Sequence, residues 1–261
     1  SPSGKMDLSL ENDGSLFRIK NSRLMINEAS WATLDVSAVR DQGAWHVTDM
    51  DNRAEIGDQS LLFGVGKMTL HGKMVDLDGF YLEHGNSRTE LSLLFDGSWE
   101  NASLDVTGSL DLKELNDLFR IVPDIRGTVS LETVKRGRQK PEVRVKSSSL
   151  ELQLSDFETM SYENISLVWH MDQEKINITQ LRFDVSGETN ELRGSALLGR
   201  EGNPFALRSF ELNGDLKKVH SAYLVNLATP DASVTSGYFS GPVHLLYDGR
   251  FHLDANVFLE D

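Results

Sequence analysis

Apolar residues recur at every second position along most of this chain, and that period admits few folds. It appears at Met6/Leu8/Leu10, Leu91/Leu93/Phe95, Leu150/Leu152/Leu154, Ile165/Leu167/Trp169/Met171, Leu181/Phe183/Val185 and Phe251/Leu253/Ala255/Val257/Leu259. Successive side chains of a strand point to opposite faces, so each run is a strand with one apolar and one polar face. Many short strands of this kind must share a single apolar surface. How that surface is covered decides what the protein does.

At 261 residues the chain can form one large all-β domain or two ordinary ones. A hydrophobic content of 39% with 25% charged residues is that of a folded chain rather than a disordered one. Against 40 Asp and Glu there are 26 Lys and Arg, a net charge of −14. Such acidity argues against nucleic acid as a partner and against a flank lying on an anionic membrane surface. It reads instead as a solvated acidic exterior. The absence of cysteine removes disulfides, thiolate metal sites and cysteine nucleophiles. No stretch approaches the ~18 apolar residues of a membrane span, and Ser1-Pro2-Ser3-Gly4 has no signal-peptide pattern. A start without Met and a close near Val257-Phe258-Leu259 read as a piece of a longer protein, with any signal or anchor expected outside it.

Turn residues punctuate the strands at intervals of roughly ten, the spacing of an antiparallel meander. They are Glu11-Asn12-Asp13-Gly14, Asp41-Gln42-Gly43, Asp78-Gly79, His84-Gly85-Asn86 and Asp96-Gly97. Strand-sized runs such as Trp45/Val47, Leu61/Phe63/Val65 and Leu104/Val106 lie between them. Two segments change period. Leu112, Leu115, Leu118/Phe119 and Val122 predict a helix over 112–122, with Asp111 as N-cap and Pro123 as its stop. Leu216, Val219, Tyr223, Leu224 and Leu227 predict a second over 216–228, ended before Pro230. These parts recur in order. Phe80-Tyr81-Leu82, Thr89-Glu90-Leu91 and Asp111-Leu112-Lys113 are echoed by Leu181-Arg182-Phe183, Asn190-Glu191-Leu192 and Asp215-Leu216-Lys217, which gives approximate repeats 79–131 and 180–245. With no Pro/Ser-rich linker, residues 1–261 are expected to form one continuous repetitive body.

Catalytic signatures are wanting. Gly64-Val65-Gly66-Lys67 lacks the glycine and Ser/Thr that a phosphate loop needs at its ends, and it reads as strand. His170 and Asp172 flank Met171 at the spacing of a two-ligand metal site, but both are out of phase with the apolar set and read as outer-face residues. His244 and His252 are isolated. The carboxylate pairs Asp76/Asp78 and Glu188/Glu191 are what an acidic surface yields by default. Sequons at Asn101, Asn164 and Asn177 carry no argument without a eukaryotic secretory route. No nucleophile elbow or Ser-His-Asp order is present. The chain is therefore expected to be no enzyme, with no catalytic residues, no metal and no cofactor.

One stretch has a recognisable cadence. Gly108-Ser109-Leu110-Asp111-Leu112-Lys113-Glu114-Leu115 leads to Val122-Pro123-Asp124-Ile125-Arg126-Gly127-Thr128-Val129-Ser130-Leu131. Pro141, the Leu150-Leu152-Leu154 strand and Leu192-Arg193-Gly194-Ser195-Ala196-Leu197-Leu198 follow. This order resembles the TamB/AsmA-like family, to which the inner-membrane subunit of the bacterial translocation and assembly module belongs. The first seventy residues match only in texture, and the basic turn at 135–140 stands where a glycine-rich turn is expected.

The resemblance implies an all-β fold with two short helices, an elongated and twisted antiparallel β half-pipe with an apolar interior. It implies a groove that carries phospholipid acyl chains across the periplasm between inner and outer membrane and supports outer-membrane biogenesis and protein assembly. A TamA-like outer-membrane barrel is the implied partner, with membrane contact through other parts of the full-length protein, anchored in the inner membrane of a Gram-negative bacterium. On that reading the in-phase residues line the groove: Leu93, Phe95, Leu131, Val145, Leu152, Leu154, Leu167, Trp169, Ile178, Phe183, Leu198, Leu207, Leu212 and Leu245. The competing expectation is a closed β-solenoid or sandwich, a structural or adhesive module of a surface protein. A third, a β-helix enzyme acting on polysaccharide, is disfavoured by irregular turn spacing.

Overall fold

The computed structural model describes residues 5–7, 10–27, 30–56, 59–114, 125–155, 158–172, 175–200, 203–220, 237–255 and 258–260. Within them the chain is all-β and antiparallel, with one helical turn at residues 112–114. It divides into two compact units, Ser1–Arg120 with Leu131–Gln139, and Ile121–Ser130 with Lys140–Asp261.

In the first unit a meander runs through β1 (Lys5–Asp7), β2 (Leu10–Asn12), β3 (Leu16–Asn27), β4 (Ser30–Asp41), β5 (Ala44–Ile56), β6 (Gln59–His71), β7 (Met74–His84), β8 (Ser87–Phe95) and β9 (Ser103–Asp111). From β2 to β9 each strand pairs with the next, and β1 joins β3. The following strand, β10 (Ile125–Lys135), contributes a portion to each unit. The second unit continues through β11 (Glu142–Ser155), β12 (Glu158–Asp172), β13 (Lys175–Val185), β14 (Glu188–Arg200), β15 (Asn203–His220), β16 (Tyr238–Tyr247), β17 (Phe251–Ala255) and β18 (Phe258–Glu260). Again sequence neighbours pair, and β16 takes both β17 and β18.

Turn chemistry explains the tight connections. Asp13 closes the first hairpin by accepting from the amides of Ser15 (2.9 Å) and Leu16 (2.7 Å) and from the Ser15 hydroxyl (2.9 Å). Those donors, the Ser15 amide foremost, hold its carboxyl below the usual carboxylate range. At Gln42-Gly43 both residues take positive φ (45° and 82°), the mirror-image turn whose twist matches that of the flanking strands. Asp78-Gly79 is no turn, contrary to the expectation from its sequence. It lies inside β7, and Gly79 (φ 68°) forms part of a bulge against β8. The turn before β7 is at Gly72-Lys73.

Bulges also correct the helix expectations. Leu216 to His220, placed in a helix over 216–228 by the sequence period, is the end of β15. Leu216 pairs with Gly241 and Val219 with Phe239, while Lys218 between them has φ 48°. One extra residue in the strand turns the usual i, i+2 spacing of one face into i, i+3, which imitates a helical step. Residues 221–228 lie outside the described residues. The other expected helix, 112–122, is helical at 112–114, and 115–122 also lie outside them.

The same device recurs at Ile19/Ser22, Leu77/Phe80 and Ile178/Leu181, each a pair kept on one face across a bulge. Bulges and ladder breaks leave backbone groups to be satisfied, and buried polar side chains supply several of the partners. Fully buried Asn190 accepts from the Lys217 amide (2.6 Å) and donates to the Glu188 carbonyl (3.2 Å). Ser87, also buried, accepts from the Asp111 amide (2.8 Å) and donates to the Glu114 carboxylate (2.9 Å), which ties the helical turn to the β7–β8 hairpin.

Replacing Asn190 with Ala should lower unfolding stability by about 1–3 kcal/mol, the penalty of an unsatisfied buried amide. Urea denaturation measures it, and exposed Asn213→Ala should stay within about 0.5 kcal/mol of wild type.

Candidate functional site

Register assembles the alternating residues into continuous rows. In the first unit Phe17, Ala38, Val47, Met68, Leu77, Leu93 and Leu104 are cross-strand partners in turn, one from each strand of β3 to β9. A parallel row joins Trp45, Leu70, Val75 and Phe95, and a third joins Val65, Phe80, Leu91 and Val106. Phe17 and Trp45 meet edge to face at 6.4 Å between ring centroids. The opposite face is polar, as in the row Thr33, Arg53, Leu62, Glu83, Arg88 and Ser109.

The second unit repeats the arrangement. One row runs Val145, Leu167, Leu181, Leu192, Gly214 and Val243, and its neighbour runs Val143, Trp169, Ile178, Gly194, Leu212 and Leu245. Glycine at 194 and 214 is a requirement of close approach. A Cβ there would run into the carbonyl oxygens of Glu211 and Glu191. The polar face carries the row Glu142, His170, Asn177, Ser195 and Glu211.

Most of the expected lining residues fall on these rows. Val145 and Leu167 share one; Trp169, Ile178, Leu212 and Leu245 share the next. Leu198 pairs with Leu207, and Leu152 with Met160. Leu154 lies in β11 and Leu131 in β10. Leu93 and Phe95 belong to the first unit, on neighbouring rows. Phe183 differs from the others in its setting. It stacks edge to face with Tyr162 at 5.6 Å and packs against a sealed cluster of Val185, Leu192, Leu216, Val219 and Val243. Phe17, Trp45, Val47, Met68 and Leu77 were not among the expected lining residues. Two-residue alternation is visible around some of them, but bulges break it near Leu77.

Burial separates this apolar face from an ordinary core. Of the expected lining residues, every one whose side chain is described is half-buried. In the first unit the buried apolar residues, among those described, are Ala38, Ala44, Val65 and Ala102; the large side chains along the rows keep part of their surface in the open. Among the described residues of the second unit, those sealed are the cluster beside Phe183, Val129 and Ala196.

Groups with chemical potential elsewhere are engaged in surface pairs. His170 lies 3.3 Å from Glu142, His244 3.1 Å from Glu211 and His252 3.4 Å from Asp248. Among the described residues no three His, Asp or Glu side chains gather as metal ligands. Gly64 to Lys67 is strand, within β6. Three of the four basic side chains of the turn at 135–140 are engaged locally. Arg136 pairs with Asp105 (2.7 Å), Lys140 with Asp172 (2.6 Å), and buried Lys135 donates to the carbonyls of Ala102 (2.9 Å), Glu100 (3.3 Å) and Gly137 beside the Trp99 ring. No family model, curated protein or solved structure matches the chain. The likeness to the TamB/AsmA-like family therefore rests on sequence cadence.

On the polar face of the second unit Asp184 accepts from Asn164 (2.8 Å) and Thr189 (2.7 Å). These bonds, that from Asn164 foremost, hold its carboxyl below the usual range. A carboxyl depressed by folding stabilises the fold above its unfolded pKa of about 3.9 and loses that contribution as pH falls through the lower folded value. The stability gap between wild type and Asp184→Asn should therefore be widest at neutral pH and narrow below about pH 4. Urea midpoints at neutral and acidic pH test this, and a gap constant across the range contradicts it.

Proposed function

We propose that this chain is a non-enzymatic lipid-transfer segment whose apolar sheet face receives phospholipid acyl chains. The observation that carries the reading is the half-open state of large side chains lined up across successive strands. Exposed apolar surface of this extent is unfavourable in water unless something covers it. An acyl chain is a suitable cover, since each buried CH₂ contributes about 0.8 kcal/mol, or roughly 12 kcal/mol for sixteen carbons.

The rows also supply a direction. Six strand spacings of about 4.8 Å carry the Phe17–Leu104 row on the order of 29 Å, enough to hold a tail that fills half of a ~30 Å bilayer core. Neighbouring positions offer similar hydrocarbon, so a tail that shifts by one strand exchanges like contacts for like and meets only small barriers. Such a track needs no catalytic group. The resemblance to the TamB/AsmA-like family supports placing it in the periplasm, conducting lipid between inner and outer membrane in support of outer-membrane biogenesis, with a TamA-like barrel as partner.

Native mass spectrometry with lipid extraction of the purified protein should find bound phospholipid. Leu167→Asp puts an unpaired charge into the row and should abolish complementation of cells that lack the native protein. Leu197→Asp, on the exposed polar face, should complement normally. Full rescue by Leu167→Asp at normal abundance would overturn the assignment.

A further inference from the structure

Three connections of the first unit sit side by side at one end of its strands. They are Gly72-Lys73 between β6 and β7, residues 96–102 between β8 and β9, and residues 136–139 after β10. A Cβ on Gly97 would stand 3.2 Å from the Lys73 side chain. The Lys135 ammonium donates to the Ala102 (2.9 Å) and Glu100 (3.3 Å) carbonyls of the second connection and to the Gly137 carbonyl of the third. The apolar row Trp45, Leu70, Val75 and Phe95 adjoins this rim, since each member lies within two residues of a strand end.

The rim is apolar where turns are ordinarily polar. Trp99 is 54% exposed and Leu94 50%, the largest exposures among the described large hydrophobic residues, and Met74 is exposed beside the first turn. Met74 and Leu94 share a face, because Leu94 pairs with Asp76. Trp99 is held in place. Asp96 accepts from the Ser98 amide (3.1 Å), the Ala102 amide donates to the Trp99 carbonyl (3.3 Å), and the buried Lys135 ammonium stands 5.7 Å from the ring centroid. The indole therefore faces water from a fixed position.

Charge selects the partner. Asp96 is taken up by donors of its own loop and Asp105 by Arg136 (2.7 Å). That leaves Glu100 against Lys73 and Arg138, neither of which makes an ion pair among the described residues. An indole with aliphatic neighbours and unpaired cations around it matches the layering of a phospholipid surface, hydrocarbon below and phosphate above. The net charge of −14 opposes approach to an anionic bilayer, so the fitting surface is zwitterionic. We propose that this rim docks on a zwitterionic phospholipid bilayer, with Trp99 in the interface and lipid tails passing from there onto the adjoining row. The choice of partner rests on the lipid-transfer reading, which requires contact with a bilayer.

Co-sedimentation of the intact chain with palmitoyl-oleoyl phosphatidylcholine vesicles tests the proposal. Trp99→Ser should lower the partition coefficient about fivefold or more, and Trp99→Phe should restore most of it. The chain has no cysteine, so Ser98→Cys and Asn86→Cys each give a single site for an environment-sensitive fluorophore. The label at 98 should shift to the blue with vesicles, and the label at 86, in the hairpin at the other end of β8, should not. Equal binding by wild type and Trp99→Ser, equal shifts at both sites, or binding only to vesicles that contain phosphatidylglycerol overturns the docking surface. Phospholipid found in the purified protein is read separately. A chain that carries lipid yet ignores the vesicles removes the docking surface alone, and one that binds vesicles yet carries no lipid removes the transfer reading alone.

Discussion

Cross-strand register is the constraint on which the rest of this structure depends. A slip of one residue in any strand would move its leucines and phenylalanines to the acidic face and bring arginine and glutamate into the apolar rows. Bulges let the rows survive irregular strands, because each adds a residue at the point where the face would otherwise reverse. Buried asparagines and serines are placed at or near those irregularities, and Asn190 and Ser87 each accept from a backbone amide of another strand. A handful of polar side chains inside an apolar layer is thus what keeps that layer apolar.

The arrangement also divides labour between the two faces. One is hydrocarbon, half-open along most of the named rows and sealed at Leu192 and Val243. The other carries the ion pairs and the histidine–carboxylate pairs. Exposed ion pairs of this kind contribute little to stability, up to about 1 kcal/mol each. Their effect is to keep the polar face hydrated. Where a core does form, around Val185, Leu216 and Val219, it is small and local to the second unit. Phe183 belongs as much to that core as to the open rows, so it is the weakest of the lining residues for a role in lipid contact.

Strand class, antiparallel order and the identity of most row residues were legible in the sequence, because side-chain alternation is a local property of extended backbone. Val145, Leu167, Trp169, Ile178, Leu212 and Leu245 could be named from phase alone. Leu216 and Val219 could not be read correctly, since a three-residue apolar step has the same spelling in a bulged strand as in a helix. Asp78-Gly79 misled for a related reason: positive φ suits both a turn and a bulge, and the pair of letters does not say which.

By itself, then, the sequence determined that the chain would be β throughout most of its length, acidic outside, and two-faced along each strand. Those properties follow from residue periods and charges that neighbours cannot change. Tertiary structure alone decided which strands align, and hence that Phe17 and Leu104 end one row and that Asn190 meets the Lys217 amide. It also decided how far each apolar side chain is covered, a quantity set by distant segments meeting across hydrogen-bonded strands. Openness of the apolar face is a property of that assembly, and no window of residues contains it.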